Sequence, residues 1–286
     1  MSGFDVVGDV HGHADQLLRL LAKLGYQRRS LNSAWAHPDG RMVAFVGDLI
    51  NRGPASSAVI DIVRGMTDAG SAFVVLGNHE FNLLAATFEG GEQVQKKYRE
   101  HLDWFRTIPF SLEVGGIRVV HAVWHPTSLK VIAGRTCMDE DFLRRAITKG
   151  TPEGQAVQTV LKGIKVPIPD DQVYLDRFGI RRSRGRIRWW LDPRGLAYAD
   201  LLFPSYAGAS AHSVPSAVDL ANSEPYPSDD PAVFIGHYCL PVSEPKIHGN
   251  VACVDGCVSC DGVLWAYRHS GERNLDPVHL VQSDGC

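Results

Sequence analysis

Three short stretches carry the chemistry-bearing residues of the first ninety positions: GDVHGH at 8–13, GDLINRGP at 47–54 and GNHE at 77–80. Each follows a short apolar run. Two more histidines, His121 and His237, close apolar runs later in the chain. Together Asp9, His11, Asp48, Asn78, His79, His121 and His237 offer carboxylate and carboxamide oxygens and imidazole nitrogens, with no thiolate among them. Such a donor set suits two adjacent divalent cations, roughly 3.5–4 Å apart when one carboxylate bridges them. The absence of sulfur favours harder ions, Mn²⁺ first, with Fe or Zn²⁺ also compatible. Taken singly, each residue has a plain reading. An Asp or Asn after a strand is usually a turn former or helix cap, and a lone His is usually a surface or satisfied core residue. Seven at matching strand ends shift that balance.

The elements that must position them follow one pattern three times: apolar run, glycine-flanked polar cluster, helical period. Phe4–Val7 precedes the first cluster, and Leu17, Leu18, Leu20, Leu21 and Leu24 then mark an amphipathic helix ending at Gly25. Met42–Val46 precedes the second, and Pro54 opens a helix with Val59, Ile60, Ile62, Val63 and Met66. Ala72–Leu76 precedes the third, and a helix continues from Phe81. Strands alternating with helices predict parallel βαβ units, whose ligand sites lie beyond the C-terminal strand ends.

Further on, 89–104 reads as an exposed helix, and 111–114 with 117–120 as a hairpin across Gly115-Gly116. Helices are expected at 139–148 and 155–161, a strand pair at 187–191 and 196–202, and a loop over 213–231. Strands at 232–235, 251–254 and 263–267 predict a second, more antiparallel sheet. The region 124–231 reads as a cap or insertion in a single domain spanning 1–286.

Bulk properties bound the function. The 286 residues suffice for a substantial core. Lys and Arg total 29 against 32 Asp and Glu, a net charge of −3, which gives no support to general nucleic-acid binding. No basic leader and no run of ~18 apolar residues is present, so no membrane association is expected. Six cysteines, three of them within Cys253–Cys260, do not resemble a secreted disulfide framework. The expected location is the cytoplasm. The spacing Cys253-x₃-Cys257-x₂-Cys260 also occurs in radical iron–sulfur enzymes, but here it lies far from the start of the chain and reads more simply as a strand and turn.

GDVHG, GDLINRG and GNHE, in that order, resemble the signature blocks of the calcineurin-like metallophosphoesterases of the phosphoprotein-phosphatase type. VVHAVWHP (119–126) and VFIGHY (233–238) are similar to that family's two metal-histidine blocks. The resemblance covers residues up to Gly90, 117–125 and 232–270, and is weak across the middle. It suggests bacterial protein phosphatases and symmetrical dinucleoside tetraphosphate hydrolases as relatives. It implies an α/β fold, a two-sheet sandwich flanked by helices, with a dinuclear metal site at strand ends. It further implies that Asp9 and His11 ligate the first ion, Asp48 bridges both, and Asn78, His121 and His237 ligate the second. A hydroxide held between the ions would attack phosphorus in line. Arg52 would clamp phosphoryl oxygens and His79 would protonate the leaving oxygen. A further phosphate-binding arginine is expected downstream, with Arg182, Arg186 and Arg188 as candidates.

The sequence departs from the family at Asn51, where the protein phosphatases carry an aspartate that orients the histidine of GNHE. An amide can still accept a hydrogen bond and fix the ring, but supplies no charge to favour imidazolium. That tilts the expected substrate towards a phosphoanhydride or activated ester, whose leaving group needs little protonation. Val123 is a second departure, bearing on substrate shape rather than metal binding. His13 and His125 read as neighbours of the site rather than ligands. The arginine-rich stretch 181–190 has two accounts: a solvated hairpin anchored by Trp189 and Trp190, or a wall meeting phosphates and stacking a base. The expected activity is phosphomonoester hydrolysis, including phosphoserine or phosphothreonine proteins. The alternative substrate is a dinucleoside polyphosphate, and the remote one a non-catalytic, metal-binding regulatory role.

Overall fold

The computed structural model describes residues 3–30, 33–90, 96–133, 138–169, 180–205 and 209–283. The chain divides into two compact units, 1–162 with 231–286, and 163–230. Its strands are β1 (Phe4–Val7), β2 (Met42–Phe45), β3 (Ala72–Val74), β4 (Ser111–Val114), β5 (Ile117–Val120), β6 (Lys165–Pro167), β7 (Arg184–Ile187), β8 (Leu202–Phe203), β9 (Ala232–Ile235), β10 (Ile247–His248), β11 (Val251–Cys253), β12 (Trp265–His269) and β13 (Leu280–Gln282).

In the first unit two five-stranded sheets pack face to face. One has the order β13-β12-β1-β2-β3, the other β10-β11-β9-β5-β4. β1, β2 and β3 are parallel, as the repeated strand–cluster–helix pattern requires. Alternate residues of facing strands build the inter-sheet core: Phe4 and Val6, Ala44 and Val46, Ile117 and Val119, Phe234, Ala252 and Val254. The period of two is the pleat itself.

Two expectations for the last strands are corrected. β12 joins the first sheet, antiparallel to β1 with Phe4 opposite His269, rather than the second. The second sheet is mixed: β5-β9-β11 run parallel, and only the flanking pairs are antiparallel. Sequence spacing does not report which edge a late strand adds to, whereas inter-strand hydrogen bonding does.

Helices α1 (Ala14–Lys23), α2 (Ser56–Asp68) and α3 (Asn78–Phe88) follow β1, β2 and β3. α1 buries Leu17, Leu20 and Leu21, and α2 buries Val59, Ile60, Val63 and Met66, each a one-sided stripe. Gly25, at φ 92°, takes the left-handed position just past α1. The expected exposed helix at 89–104 is corrected where it is described. From 96 the chain is helical in short turns leading into α4 (Leu102–Thr107), and it buries Tyr98, His101 and Phe105. Then come α5 (Pro126–Ile132), α6 (Glu140–Ile147) and α7 (Pro152–Lys162), all in the first unit.

In the second unit β6-β7-β8 form a small antiparallel sheet. The strand pair expected at 187–191 and 196–202 is displaced. Pairing is Arg186 with Phe203 and Ile187 with Leu202, and the chain turns from Arg188 onward. Leu191 N–H bonds Arg188 O, and the Asp192 carboxylate accepts from Arg194 N, so local turn chemistry ends the strand early. Trp189 and Trp190 are buried, and Trp189 packs edge-on to Tyr226. Among the described residues no helix is long and apolar enough to cross a membrane.

Candidate metal centre

Each polar cluster sits where a parallel strand ends and its chain turns sharply. His11, Asp48, Asn51, Arg52 and His237 all hold positive φ, between 44° and 68°. Non-glycine residues adopt that region at a cost, and such outliers concentrate where side-chain aim matters. Glycines make the close approaches. A Cβ on Gly77 would overlap Asp48 and Glu80, and one on Gly236 would overlap Asp9 Oδ1.

The seven strand-end residues converge. Asp9, His11, Asp48, Asn78 and His121 are buried, and His79 and His237 are partly so. Donor atoms of His11, Asp48 and His79 form one close group, and those of Asp48, His121 and His237 form another. Asp48 is common to both. His11 Nε2 lies 3.6 Å from Asp48 Oδ2 and 3.9 Å from Asp9 Oδ2, while His121 Nε2 lies 3.5 Å from Asp48 Oδ1 and 3.1 Å from Asn78 Oδ1. Asp9 is tied to the last cluster, accepting the His237 backbone N–H at 3.1 Å.

Ring protons sort the histidines by role. His11 Nδ1 faces Ile50 O at 3.1 Å and His121 Nδ1 faces Val46 O at 2.8 Å. A carbonyl only accepts, so each Nδ1 carries the proton and each Nε2 presents a lone pair to the centre. His79 is the reverse. Asn51 Nδ2 faces its Nδ1 at 3.0 Å, and Tyr98 Oη stands 3.5 Å from Asn51 Oδ1. The amide N–H donates, so the ring proton sits on Nε2, 3.8 Å from Asp48 Oδ2. The expectation that the amide accepts from the ring is corrected: it donates to it. Sequence cannot set an amide's orientation; here Nδ2 faces the ring.

Electrostatics call for cations. Burial, then Asp255 and Asp48, push the Asp9 carboxyl well above its ordinary range. Burial first also pushes Asp48 up to about 7, against the His79 backbone N–H and with Asp255 adding to the rise. Burial, then Arg52, hold His11 down at about 2, so it stays a neutral ligand-type imidazole. Buried carboxylates crowded together beside imidazole lone pairs fit divalent ions.

Three further residues belong here. Asp255 is buried and accepts N–H bonds from Cys239 at 2.6 Å and Cys257 at 2.9 Å. Its signal was available: it follows an apolar run, Val251–Val254, as Asp9 follows β1. Glu80, the acid of GNHE, is buried and gathers the Asp48, Leu49, Ile50 and Gly77 N–H groups at 2.8–3.1 Å. It holds the Asp48 turn against the start of α3. Lys162, at the end of α7, donates to Asn82 Oδ1 and feels the charge of Asp48, and nothing in its sequence surroundings marks it. His13 bonds Val10 O and His125 bonds Ser128, as local turn partners. Arg182, Arg186 and Arg188 lie in the second unit, where Arg188 donates to Ser205 Oγ and stacks over Phe203.

Residues 3–181 match the family model for the calcineurin-like phosphoesterases. The chain belongs to that family. Among curated relatives, a bis(5'-nucleosyl)-tetraphosphatase PrpE [asymmetrical] of Halalkalibacterium halodurans is 50% identical over 76 residues, 27% of this chain and 30% of the relative. A symmetrical bis(5'-nucleosyl)-tetraphosphatase of Neisseria meningitidis is 30% identical over 144 residues, 45% of this chain and 47% of the relative. The matches thus span 30% and 47% of these relatives' lengths. Among solved structures, a protein serine/threonine phosphatase of Saccharomyces cerevisiae superposes with a TM-score of 0.55 at 15% identity, covering 100% of this chain and 80% of that one. That likeness is one of fold.

Proposed function

We propose that this family member is a metal-dependent phosphohydrolase acting on phosphomonoesters, phosphoserine and phosphothreonine proteins included. The observation that carries the reading is the sharing of Asp48 between two groups of donors, with histidine lone pairs turned inward from His11 and His121. Asp9, His11 and Asp48 would hold one divalent ion, and Asp48, Asn78, His121 and His237 the other, with Mn²⁺ the first choice for this oxygen and nitrogen set. When bound, two such cations supply Lewis-acid stabilisation of phosphoryl oxygens and an acidified water. Arg52, exposed at the rim, binds phosphoryl oxygens and offsets charge in the transition state. His79, its ring fixed through Nδ1 by Asn51, would protonate the leaving oxygen from Nε2 when the ring is in its imidazolium form. Arg186 and Arg188 are carried as candidate phosphate-binding groups.

The Asn51 geometry favours a second substrate reading, dinucleoside polyphosphates. An amide N–H on Nδ1 opposes imidazolium, so little of the ring is protonated near neutral pH, which a phosphoanhydride leaving group tolerates. The names of the curated relatives support the same substrate class. We further propose a cytoplasmic location. Metal analysis together with kinetics on p-nitrophenyl phosphate, phosphopeptides and dinucleoside polyphosphates tests both readings. Two ions per chain and chelator-sensitive hydrolysis support the activity. Full activity in metal-free protein refutes it, and the ratio of kcat/KM across the panel selects the substrate.

A further inference from the structure

The cysteines that gather are not the three that crowd together in sequence. Cys253 is buried at the end of β11, while Cys239, Cys257 and Cys260 bring their sulfurs within 4.8 Å of one another. Cys239 and Cys257 are joined as a disulfide, with Cα atoms 4.3 Å apart and a sequence separation of 18. Cys260 is a free, exposed thiol. It lies one turn beyond Cys257 in the run Cys257-Val258-Ser259-Cys260, where the Cys260 N–H bonds Cys257 O at 2.8 Å. Cys257 therefore stands between two partners, a distant one across a loop and a local one in a Cys-x-x-Cys spacing of the kind that supports thiol–disulfide exchange.

We propose that Cys257 is a reversible oxidation site with two alternative disulfide partners, Cys239 and Cys260. In the exchange, the Cys260 thiolate attacks Cys257 Sγ, the Cys239–Cys257 bond breaks, and Cys239 leaves as a thiolate that takes a proton from water. Two electrons remain in the new Cys257–Cys260 bond, so the step consumes no oxidant. Full opening uses a low-molecular-weight thiol pair such as glutathione: two thiols become one disulfide while the protein gains two thiols. Closure is the reverse.

The site is placed to be felt at the metal centre. Cys239 is two residues from His237, whose backbone N–H bonds Asp9. The Asp255 carboxylate receives the N–H of both Cys239 and Cys257, so one acid spans the two segments that the disulfide joins. Both cysteines hold left-handed backbone, φ 40° and 62°, in place around it. A Cys239–Cys257 link staples the segment carrying His237 to the segment carrying Asp255, and a Cys257–Cys260 link releases that staple. One disulfide among the described residues is no folding framework, and isolated disulfides of this kind are often redox-responsive.

The test uses the full chain, equilibrated across graded ratios of reduced to oxidised glutathione, quenched in acid, alkylated and mapped by peptide mass. Wild-type protein should show the Cys239–Cys257 and Cys257–Cys260 linkages exchanging within that series. Cys239→Ser should show only Cys257–Cys260. Cys260→Ser should keep Cys239–Cys257 but open it at least about tenfold more slowly in millimolar thiol, because a neighbouring thiol acts at higher effective concentration than the reagent. Cys260 is exposed, so this variant should fold, and the wild-type map needs no variant at all. Manganese affinity by calorimetry should be higher with the Cys239–Cys257 link than with Cys257–Cys260. All three cysteines remaining as thiols throughout overturns the proposal, as does Cys260→Ser opening at the wild-type rate. So does a reduced protein that resists oxidation and shows cobalt–thiolate absorption, which would make the triad a metal site. The linkage map and the opening rates depend on neither metal binding nor phosphatase activity, so they stand apart from the proposed function.

Discussion

Replacing Glu80 with glutamine should loosen the turn that carries Asp48 while leaving every proposed ligand in place. Glu80 Oε1 accepts Leu49 N–H at 2.8 Å and Ile50 N–H at 3.1 Å, and Oε2 accepts Asp48 N–H at 2.9 Å and Gly77 N–H at 3.1 Å. Burial, then the Asp48 charge, push this carboxyl up to about 8 against backbone N–H groups including those of Ile50 and Leu49. A cation on Asp48 removes the second cause and leaves the carboxylate. Glutamine keeps one acceptor oxygen and sets an NH₂ against two backbone N–H groups. Two charge-assisted bonds are lost, at about 1.5–3 kcal/mol each, and partial rearrangement brings the net cost to about 4 kcal/mol. For a chain of this size that is a melting-temperature drop of roughly 8–16 °C. Because Asp48 sits at φ 51° on this turn, manganese affinity should also fall about tenfold or more. Thermal unfolding with and without Mn²⁺, and calorimetric titration, read both effects. A shift under about 1 kcal/mol with unchanged manganese affinity would show that Glu80 does not hold the turn.

Asn51→Asp places a carboxylate where an amide N–H now meets His79 Nδ1, and should move the alkaline limb of kcat upward in pH. The gain should be larger for alkyl phosphates than for dinucleoside polyphosphates, and absent once His79 is also replaced by Asn. Unshifted pH–rate profiles in both backgrounds count against any tuning by residue 51. Asp9, Asp48 and Glu80 are raised in the metal-free fold, Asp48 to about 7 and Glu80 to about 8. The folded chain then keeps protons that the unfolded chain releases near pH 4, so chelated protein should lose stability as pH rises. His11, held at about 2, works the other way below pH 6.5, so the comparison belongs between pH 6.5 and 8.5. Melting curves there should fall with pH in EDTA, with the larger Mn²⁺ stabilisation at the alkaline end, and the opposite slope refutes the carboxylate assignment. Arg188→Ala should cost about 1.5–3 kcal/mol in kcat/KM for phosphorylated substrates if it binds phosphate. Unchanged kinetics leave it as the partner of Ser205 and Phe203.

The parallel strands β1–β3 and the turns after them were legible in the chain because a short apolar run followed by Gly and a polar cluster is a local signal, repeated three times. The hairpin of β4 and β5 was legible for the same reason, with Gly115-Gly116 between two alternating runs. What had no local signal was long-range. β12 reads as a strand anywhere, and only its hydrogen bonds to β1 place it in the first sheet. The cysteine spacing pointed to Cys253, yet that side chain is buried on the face of β11 opposite Ala252 and Val254, and a loop 18 residues upstream of Cys257 delivers Cys239 instead. Glu80 is one acid among 32 Asp and Glu in the sequence, and becomes the anchor of the Asp48 turn only when four N–H groups from 48–50 and 77 point at it. The same holds for Asn51. Its identity was plain at once, but only the fold brings its amide nitrogen against His79 Nδ1, 28 residues away. Residue type sets which donors and acceptors exist; tertiary packing sets which of them face each other, and that orientation decides where each proton sits.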